Sequence, residues 1–378
     1  MNFSLSSALK CALVALGATV LGCAPNDGIK ELEEGKAAYE LRDLKKAEKL
    51  FDKSLSLAPQ SVERLLYLAR VKLDLGELAA AKELVEKAGP LADGAADVTL
   101  LDAQIAWHAK DYKKAETRFS AIANDSKLDA ALRAQGWAGL GVVEMTCDSP
   151  DLARIAFLRA IRLDRHNASA WYHLGLLYRD GFGYLEAALE QFDIFVRLEE
   201  EASPRVQKVQ RTVIPALKEQ LAHAATERPG ASKRDSAACS SALVKAEAEV
   251  KKGNFKAARQ AYQDALTADP LSYPAALGLA RAWEKSDATK AGQTKAFENY
   301  RLACSLHPSK VSTFITTGAL AAKLGFLAQA VEIYSRAVAA NPNSLDAIDG
   351  LIRALGRTNK TNIAKAYQSY RDSIPKRK

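Results

Sequence analysis

The chain has 378 residues, 48% of them hydrophobic, with a formal net charge of +8 and only 12 prolines. That length can bury an extended core, and alanine- and leucine-rich segments so poor in proline favour helix. Sustained period-two alternation is absent from the sequence, which excludes an extended sheet.

Met1–Lys10 carries one positive charge, Cys11–Gly22 is apolar and small, and the run ends in Val20-Leu21-Gly22-Cys23. An apolar stretch this short does not span a bilayer as a permanent helix, so residues 1–22 read as an export signal. Its ending resembles a bacterial lipobox, which implies that Cys23 becomes the lipidated first residue of the mature chain. The alternative is an ordinary signal peptide cut elsewhere. Ala24 rather than aspartate follows the cysteine. By resemblance to the sorting habit of two-membraned bacteria, this implies an outer-membrane anchor facing the periplasm. Residues 23–27 form a short tether. Asp27 is the expected N-cap of the first helix, and Ala24–Asn26 is a spacer reaching at most on the order of 15 Å.

From there the sequence repeats. Trp137-Ala-Gly-Leu140-Gly141 returns as Trp171-Tyr-His-Leu174-Gly175 after 34 positions, and the same step links Ala47 to Ala81 and Ala115, Tyr300 to Tyr334, and Pro308 to Pro342. Units start near Gly28, Val62, Ala96, Ala134, Ala168, Cys239, Tyr273, Val311 and Leu345. Their eighth place holds Gly35, Ala69, Ala103, Gly141, Gly175, Ala246, Ala280 and Gly318, with Ile352 the exception; their twentieth holds alanine from Ala47 to Ala364. Two helices packed at about 8–10 Å need small residues at their crossing. Phe51, Phe119, Phe157, Phe192, Tyr262, Tyr300 and Tyr334 then fill the gaps, and Pro59, Pro270, Pro308 and Pro342 close units. A period of this length denotes a repeat architecture.

Over residues 28–198 and 239–372 the pattern resembles the tetratricopeptide repeat superfamily. The expected fold is all-α, an α-α superhelix of stacked hairpins. The register slips by four before the fourth unit and again around 286–293, and the fifth unit gains one residue at Asp180-Gly-Phe-Gly183. The ninth unit is degenerate, as a terminal cap is.

The organisation expected is a block of about five repeats (28–202), a capping helix (203–225), a linker (226–238) and a basic block of about four repeats (239–378). Ser203-Pro204 starts the capping helix, Val206, Val209, Val213, Leu217 and Leu221 form its apolar stripe, and Pro215 is expected to kink it. Residues 23–225 carry an acidic excess of four, whereas residues 226–378 carry a net +11, partly from a tail ending Lys376-Arg-Lys378.

In the family the first helices line the concave surface, chiefly through their second, fifth, ninth, twelfth and thirteenth places. Carried over, this implies partner contacts at Tyr39, Arg70, Trp107, His108, Tyr172, Leu176 and Arg179 in the first block. In the second it implies Lys251, Arg281, Lys285, Lys323, Arg353 and Arg357, diluted by Glu247, Glu284, Asp346 and Asp349. Such an electropositive trough suits acidic peptide segments. The bland reading is an ordinary solvated helix face.

Cys147, Cys239 and Cys304 read as small buried helix residues rather than a disulfide framework, the alternative being one bridged pair where geometry allows. The five histidines form no His-Glu-x-x-His, and Gly-x-Ser-x-Gly and phosphate-binding glycine loops are absent from the sequence. The expectation is therefore no enzyme, no cofactor, no metal and no nucleic-acid partner. Resemblance to lipoproteins of this kind implies a membrane-anchored periplasmic adaptor that binds protein segments during envelope assembly, whether of pilus secretins, outer-membrane proteins or peptidoglycan enzymes. The alternative is an envelope structural protein that binds anionic polymer or lipid headgroups through its basic block.

Overall fold

The structure, a computed structural model, describes residues 27–92, 95–200, 203–227 and 234–375. The export signal, Cys23, the spacer, 228–233 of the linker and the tail Lys376–Lys378 lie outside the described residues. Among those described there is helix and no strand, in the α-α superhelix class. The chain divides into two compact units, the first ending at Leu174 and the second beginning at Gly175. The sequence expectation put the joint at 226–238 instead.

The first unit contains the hairpins α1 (Ile29–Glu40) with α2 (Leu44–Leu57), α3 (Val62–Asp74) with α4 (Leu78–Ala88), α5 (Ala96–His108) with α6 (Tyr112–Asn124), and α7 (Ala130–Thr146) with α8 (Pro150–Leu163). The helix α9 (Ala168–Leu176) begins in this unit. Side-chain oxygens start many helices: Asp43 accepts from the Lys46 amide, Asp111 from Lys114, Asp129 from Leu132 and Asn167 from Ala170. The expected Asp27 cap is displaced by one. Gly28, at φ 74°, is the N-cap, while Asp27 accepts from the Ile29 amide at 3.2 Å.

The second unit continues through π-helical turns at Leu177–Phe182 into α10 (Leu185–Leu198). Then come α11 (Pro204–Lys208), π-helical turns at Val209–Val213 and α12 (Ile214–Thr226), which packs on α10. The hairpins α13 (Ser236–Lys251) with α14 (Phe255–Ala268), α15 (Tyr273–Ser286) with α16 (Lys290–Leu306), α17 (Val311–Leu324) with α18 (Leu327–Ala340) and α19 (Leu345–Arg357) with α20 (Thr361–Asp372) follow. Helix α13 starts at Ser236, inside the expected linker, because Asp235 caps it through the Ala238 amide at 2.9 Å.

The small residues do what their volume allows. Ala47, Ala81, Ala115, Ala153, Ala188, Ala258, Ala296 and Ala330 are fully enclosed. A Cβ on Gly35 would stand 2.6 Å from the Phe51 ring, and one on Gly141 2.5 Å from Phe157, closer than carbon atoms approach. Both four-residue slips lengthen a helix by about one turn, in α7 and α16, each 17 residues long, so the buried face keeps its register. The residue gained in the fifth unit becomes π-helical, ending on Gly183 at φ 66°.

The capping segment departs from its expected stripe. Val206, Val209 and Leu217 are buried, but Ile214 replaces Val213 in the core, and Leu221 is half-buried. The π turn inserts one extra residue and so rotates the following face by one position. Pro215 sits in the first turn of α12, directly after this irregularity. Cys147 also departs from expectation: it is the exposed C-cap of α7, where a terminal residue escapes the inter-helix face, while Cys239 and Cys304 are buried.

Candidate functional site

The sites expected in the first block lie near the C-terminal ends of first helices, and the structure commits most of them to contacts within the chain. Tyr39 donates its hydroxyl to Asp74 at 2.9 Å, and Arg42 binds the same carboxylate. Burial, reinforced by Asp74, pushes the Tyr39 hydroxyl well above its ordinary pKa. Trp107 Nε1 donates to Thr146 Oγ1 at 3.3 Å and meets His108 edge-on. Arg70 lies over the Tyr67 ring. Tyr172 meets His173 edge-on. Arg179 grips Asp180 with two hydrogen bonds of 2.6 and 2.7 Å and lies against Phe192. A pattern unseen in the sequence emerges: Tyr39 and Trp107 occupy the twelfth place of their units, and each bonds to the thirteenth place of the following unit.

The second block is arranged differently. Lys251, Arg281, Lys285, Lys323, Arg353 and Arg357 are all exposed. None of the six has an ion-pair partner among the described residues, whereas Arg234, Lys252, Lys295, Arg336 and Arg371 do. Arg357 Nη1 donates to the Ala322 carbonyl at 3.0 Å. Burial raises the Tyr262 and Tyr300 hydroxyls, and the neighbouring Arg281 partly offsets both shifts. Arg353 does the same for Tyr334.

Two of the four acids expected to dilute this surface are already occupied. Glu284 accepts the Tyr300 hydroxyl at 2.7 Å, and Asp349 holds Arg371. Glu247 and Asp346 remain. Asp349, neutralised by Arg371, no longer offsets this face, whereas Glu284 keeps its charge because the tyrosine hydroxyl it accepts is neutral.

The sequence reading also missed a set of inter-unit contacts. Gly139, Gly278 and Gly350, each at the sixth place, lie against the aromatic ring of the preceding unit's second helix: Phe119, Tyr262 and Tyr334. Tyr67 and His173 occupy the same place and stack on Phe51 and Phe157, with centroids 5.2 and 5.9 Å apart. The regular spacing of those glycines from their unit starts was the available signal. In addition, a cavity of about 340 Å³ opens between α16, α17 and α18, floored by Leu302, Cys304, Phe314, Thr317 and Ile333. Burial pushes the Cys304 thiol up to about 11. The described residues contain no cluster of three metal-ligating side chains and no helix long and apolar enough to cross a membrane.

Helical hairpins that interlock through a small-residue and aromatic code define a helical-repeat protein. Tetratricopeptide repeat family models match residues 38–105 and 243–294, which supports a protein of the tetratricopeptide repeat superfamily. Among curated proteins none matches the sequence. Solved structures similar to it include PilF of Pseudomonas aeruginosa (16% identity, TM-score 0.39, covering 66% of this chain and 95% of that one). TTC0263, a tetratricopeptide repeat protein of Thermus thermophilus, is similar at 19% identity and a TM-score of 0.44, over 51% and 99% of the two chains. MamA from Desulfovibrio magneticus is similar at 16% identity and a TM-score of 0.35, over 47% and 98%. At these values the similarities say nothing of function. Repeats of this family are in general scaffolds for protein–protein interaction, and that is the general class of activity here.

Proposed function

We propose that the protein is a lipid-anchored periplasmic scaffold, held in the outer membrane through Cys23, whose second block binds acidic segments of partner proteins during envelope assembly. The observation carrying the binding half is the exposed set Arg281, Lys285 and Arg353, which has no ion-pair partner among the described residues, while Asp349 is neutralised by Arg371. An unneutralised cationic face on rigid helices is preorganised for charge-assisted hydrogen bonds to carboxylates. The anchor half rests on Val20-Leu21-Gly22-Cys23. Acyl chains contribute roughly 0.8 kcal/mol for each buried methylene, so dual acylation anchors stably.

The test is crosslinking of the full-length protein in intact cells, with Arg281 and Arg353 left in place, followed by identification of the captured proteins. Acidic segments of envelope proteins are expected, and Arg281→Glu with Arg353→Glu should abolish capture. Undiminished capture by that variant rejects the basic face. If binding is instead to anionic polymer or headgroups, it falls more steeply with added salt than capture of a short acidic segment does, because the many exposed charges beyond about 8–10 Å are screened at moderate ionic strength. Cys23→Ser should release the protein from the membrane fraction without detergent; retention there rejects the anchor.

A further inference from the structure

The thirteenth place of the repeat changes sign between blocks. In the first block it is Glu40, Asp74, His108, Thr146 and Asp180; in the second it is Lys251, Lys285, Lys323 and Arg357, basic in every unit. Cations at a helix C-terminus complement the macrodipole, which would be the plain explanation. That preference does not set the sign here, because Glu40 and Asp74 are the last residues of α1 and α3 and are acidic. Asp74 and Thr146 accept hydrogen bonds from the twelfth place of the preceding unit, so that edge is closed by intrachain contacts. In the second block the twelfth places are Val250, Glu284, Ala322 and Gly356, and the one acid among them is occupied by Tyr300. Lys251, Lys285 and Lys323 are exposed and have no ion pair among the described residues.

The row has a geometry. Helix α13 packs on α15, and α17 on α19, so the cations fall into two neighbouring pairs, Lys251 with Lys285 and Lys323 with Arg357. Arg357 reaches the carbonyl of Ala322, the residue beside Lys323, which places the second pair side by side. Adjacent first helices at contact distance stand about 8–10 Å apart. Three residues of extended polypeptide span about 10 Å, at 3.3–3.6 Å each. The following turns are open, since nothing lies within 4 Å of where a Cβ would stand on Gly253 or Gly325.

Resting on the proposed binding of acidic segments, we infer that this edge row reads an extended peptide carrying carboxylates three residues apart, one for each neighbouring cation. The contact runs across the helix ends, at the mouth of the hairpin turns, rather than along the ninth places that hold Arg281 and Arg353.

The test uses the full mature chain in detergent and two fluorescein-labelled 13-residue peptides of identical composition. One has glutamate at every third position, and the other has its glutamates contiguous. Anisotropy titration should show the spaced peptide binding at least tenfold more tightly. The triple variant Lys251→Glu, Lys285→Glu, Lys323→Glu should lose that preference. Lys→Gln at the same positions checks that loss of charge alone weakens binding, and circular dichroism of both variants checks the fold. Equal affinity for the two peptides, or an unchanged preference in the triple variant, overturns the row. If the triple variant is silent and Arg281→Glu with Arg353→Glu abolishes peptide binding, the row fails while the acidic-partner reading stands. If neither peptide binds but polyphosphate or phosphatidylglycerol vesicles do, both fail.

Discussion

The pair Gly141 and Phe157 offers a quantitative test of the packing code. Phe157 is wholly buried and fills the space above Gly141, where a Cβ would meet three ring atoms at 2.5, 2.7 and 2.8 Å. Gly141→Ala removes a glycine from a helix interior, which by itself favours the helix by about 0.5–1 kcal/mol. It also overpacks the crossing, costing about 1–3 kcal/mol, so the net effect should be destabilising. Phe157→Leu removes ring atoms and the stack on His173, costing on the order of 1–3 kcal/mol. In the double variant the new methyl group occupies space the ring has vacated. The two costs should then fall short of their sum by about 1 kcal/mol or more, within the range for contacting residues. Urea denaturation of the four proteins, followed by far-ultraviolet circular dichroism and by hydrogen exchange within α7 and α8, measures the cycle. Local exchange is needed because repeat arrays unfold in parts. Strictly additive losses would refute the claim that the eighth place is small because of its own unit's aromatic ring.

Four turns hold non-glycine residues at positive φ, Arg42, Lys110, Asp148 and Asn359, at the place where Gly76, Gly253 and Gly325 stand in other units. Lys110→Gly should stabilise by about 1 kcal/mol, seen as a raised thermal midpoint, and a lowered midpoint contradicts the strain argument. Among the thiols, Cys147 should react quickly with a disulfide reagent at pH 8, while Cys304, buried and shifted to about 11, should lag. Cys147→Ser should remove the fast phase, and its persistence would contradict the burial pattern. Arg234 holds the Asp269 carboxyl below its ordinary range through two 2.8 Å hydrogen bonds. A depressed folded pKa stabilises above the unfolded value near 3.9, and this is lost as pH falls through the lower folded one. Asp269→Asn should therefore flatten that part of the acid-denaturation curve; an unaltered slope argues against the linkage.

The eighth and twentieth places were legible in the sequence because volume is written directly in residue identity, and an inter-helix crossing tolerates little else. Closing prolines were legible for a similar reason: Ala58, Asp269 and Asn341 precede prolines and leave the helical region, ending their helices. A gained residue is visible as a count, but the count does not say whether a turn loosens or a helix widens. The π segments at Leu177–Phe182 and Val209–Val213 therefore escaped, and with the second went the exchange of Val213 for Ile214. Cys147 was misread because burial was inferred from the residue type, which has no force at a C-cap. The engagement of Tyr39 with Asp74 depends on a partner 35 positions away and on side-chain reach, neither of which periodicity encodes.

That last contact bears on where binding capacity resides. A polar side chain hydrogen-bonded inside the chain must lose that bond before it can serve a partner, so only the surplus contributes to affinity. Tyr39, Trp107 and Arg179 would each give up such a bond. Lys251, Lys285 and Lys323 would surrender no ion pair, and neighbouring like charges gain when an anion neutralises them. Two blocks built on one backbone code thus differ in what their helix ends have left to offer. In the first, polar groups join one unit to the next. In the second, Lys251, Lys285 and Lys323 face outward without an ion pair among the described residues, which is the condition the proposed acidic partner requires.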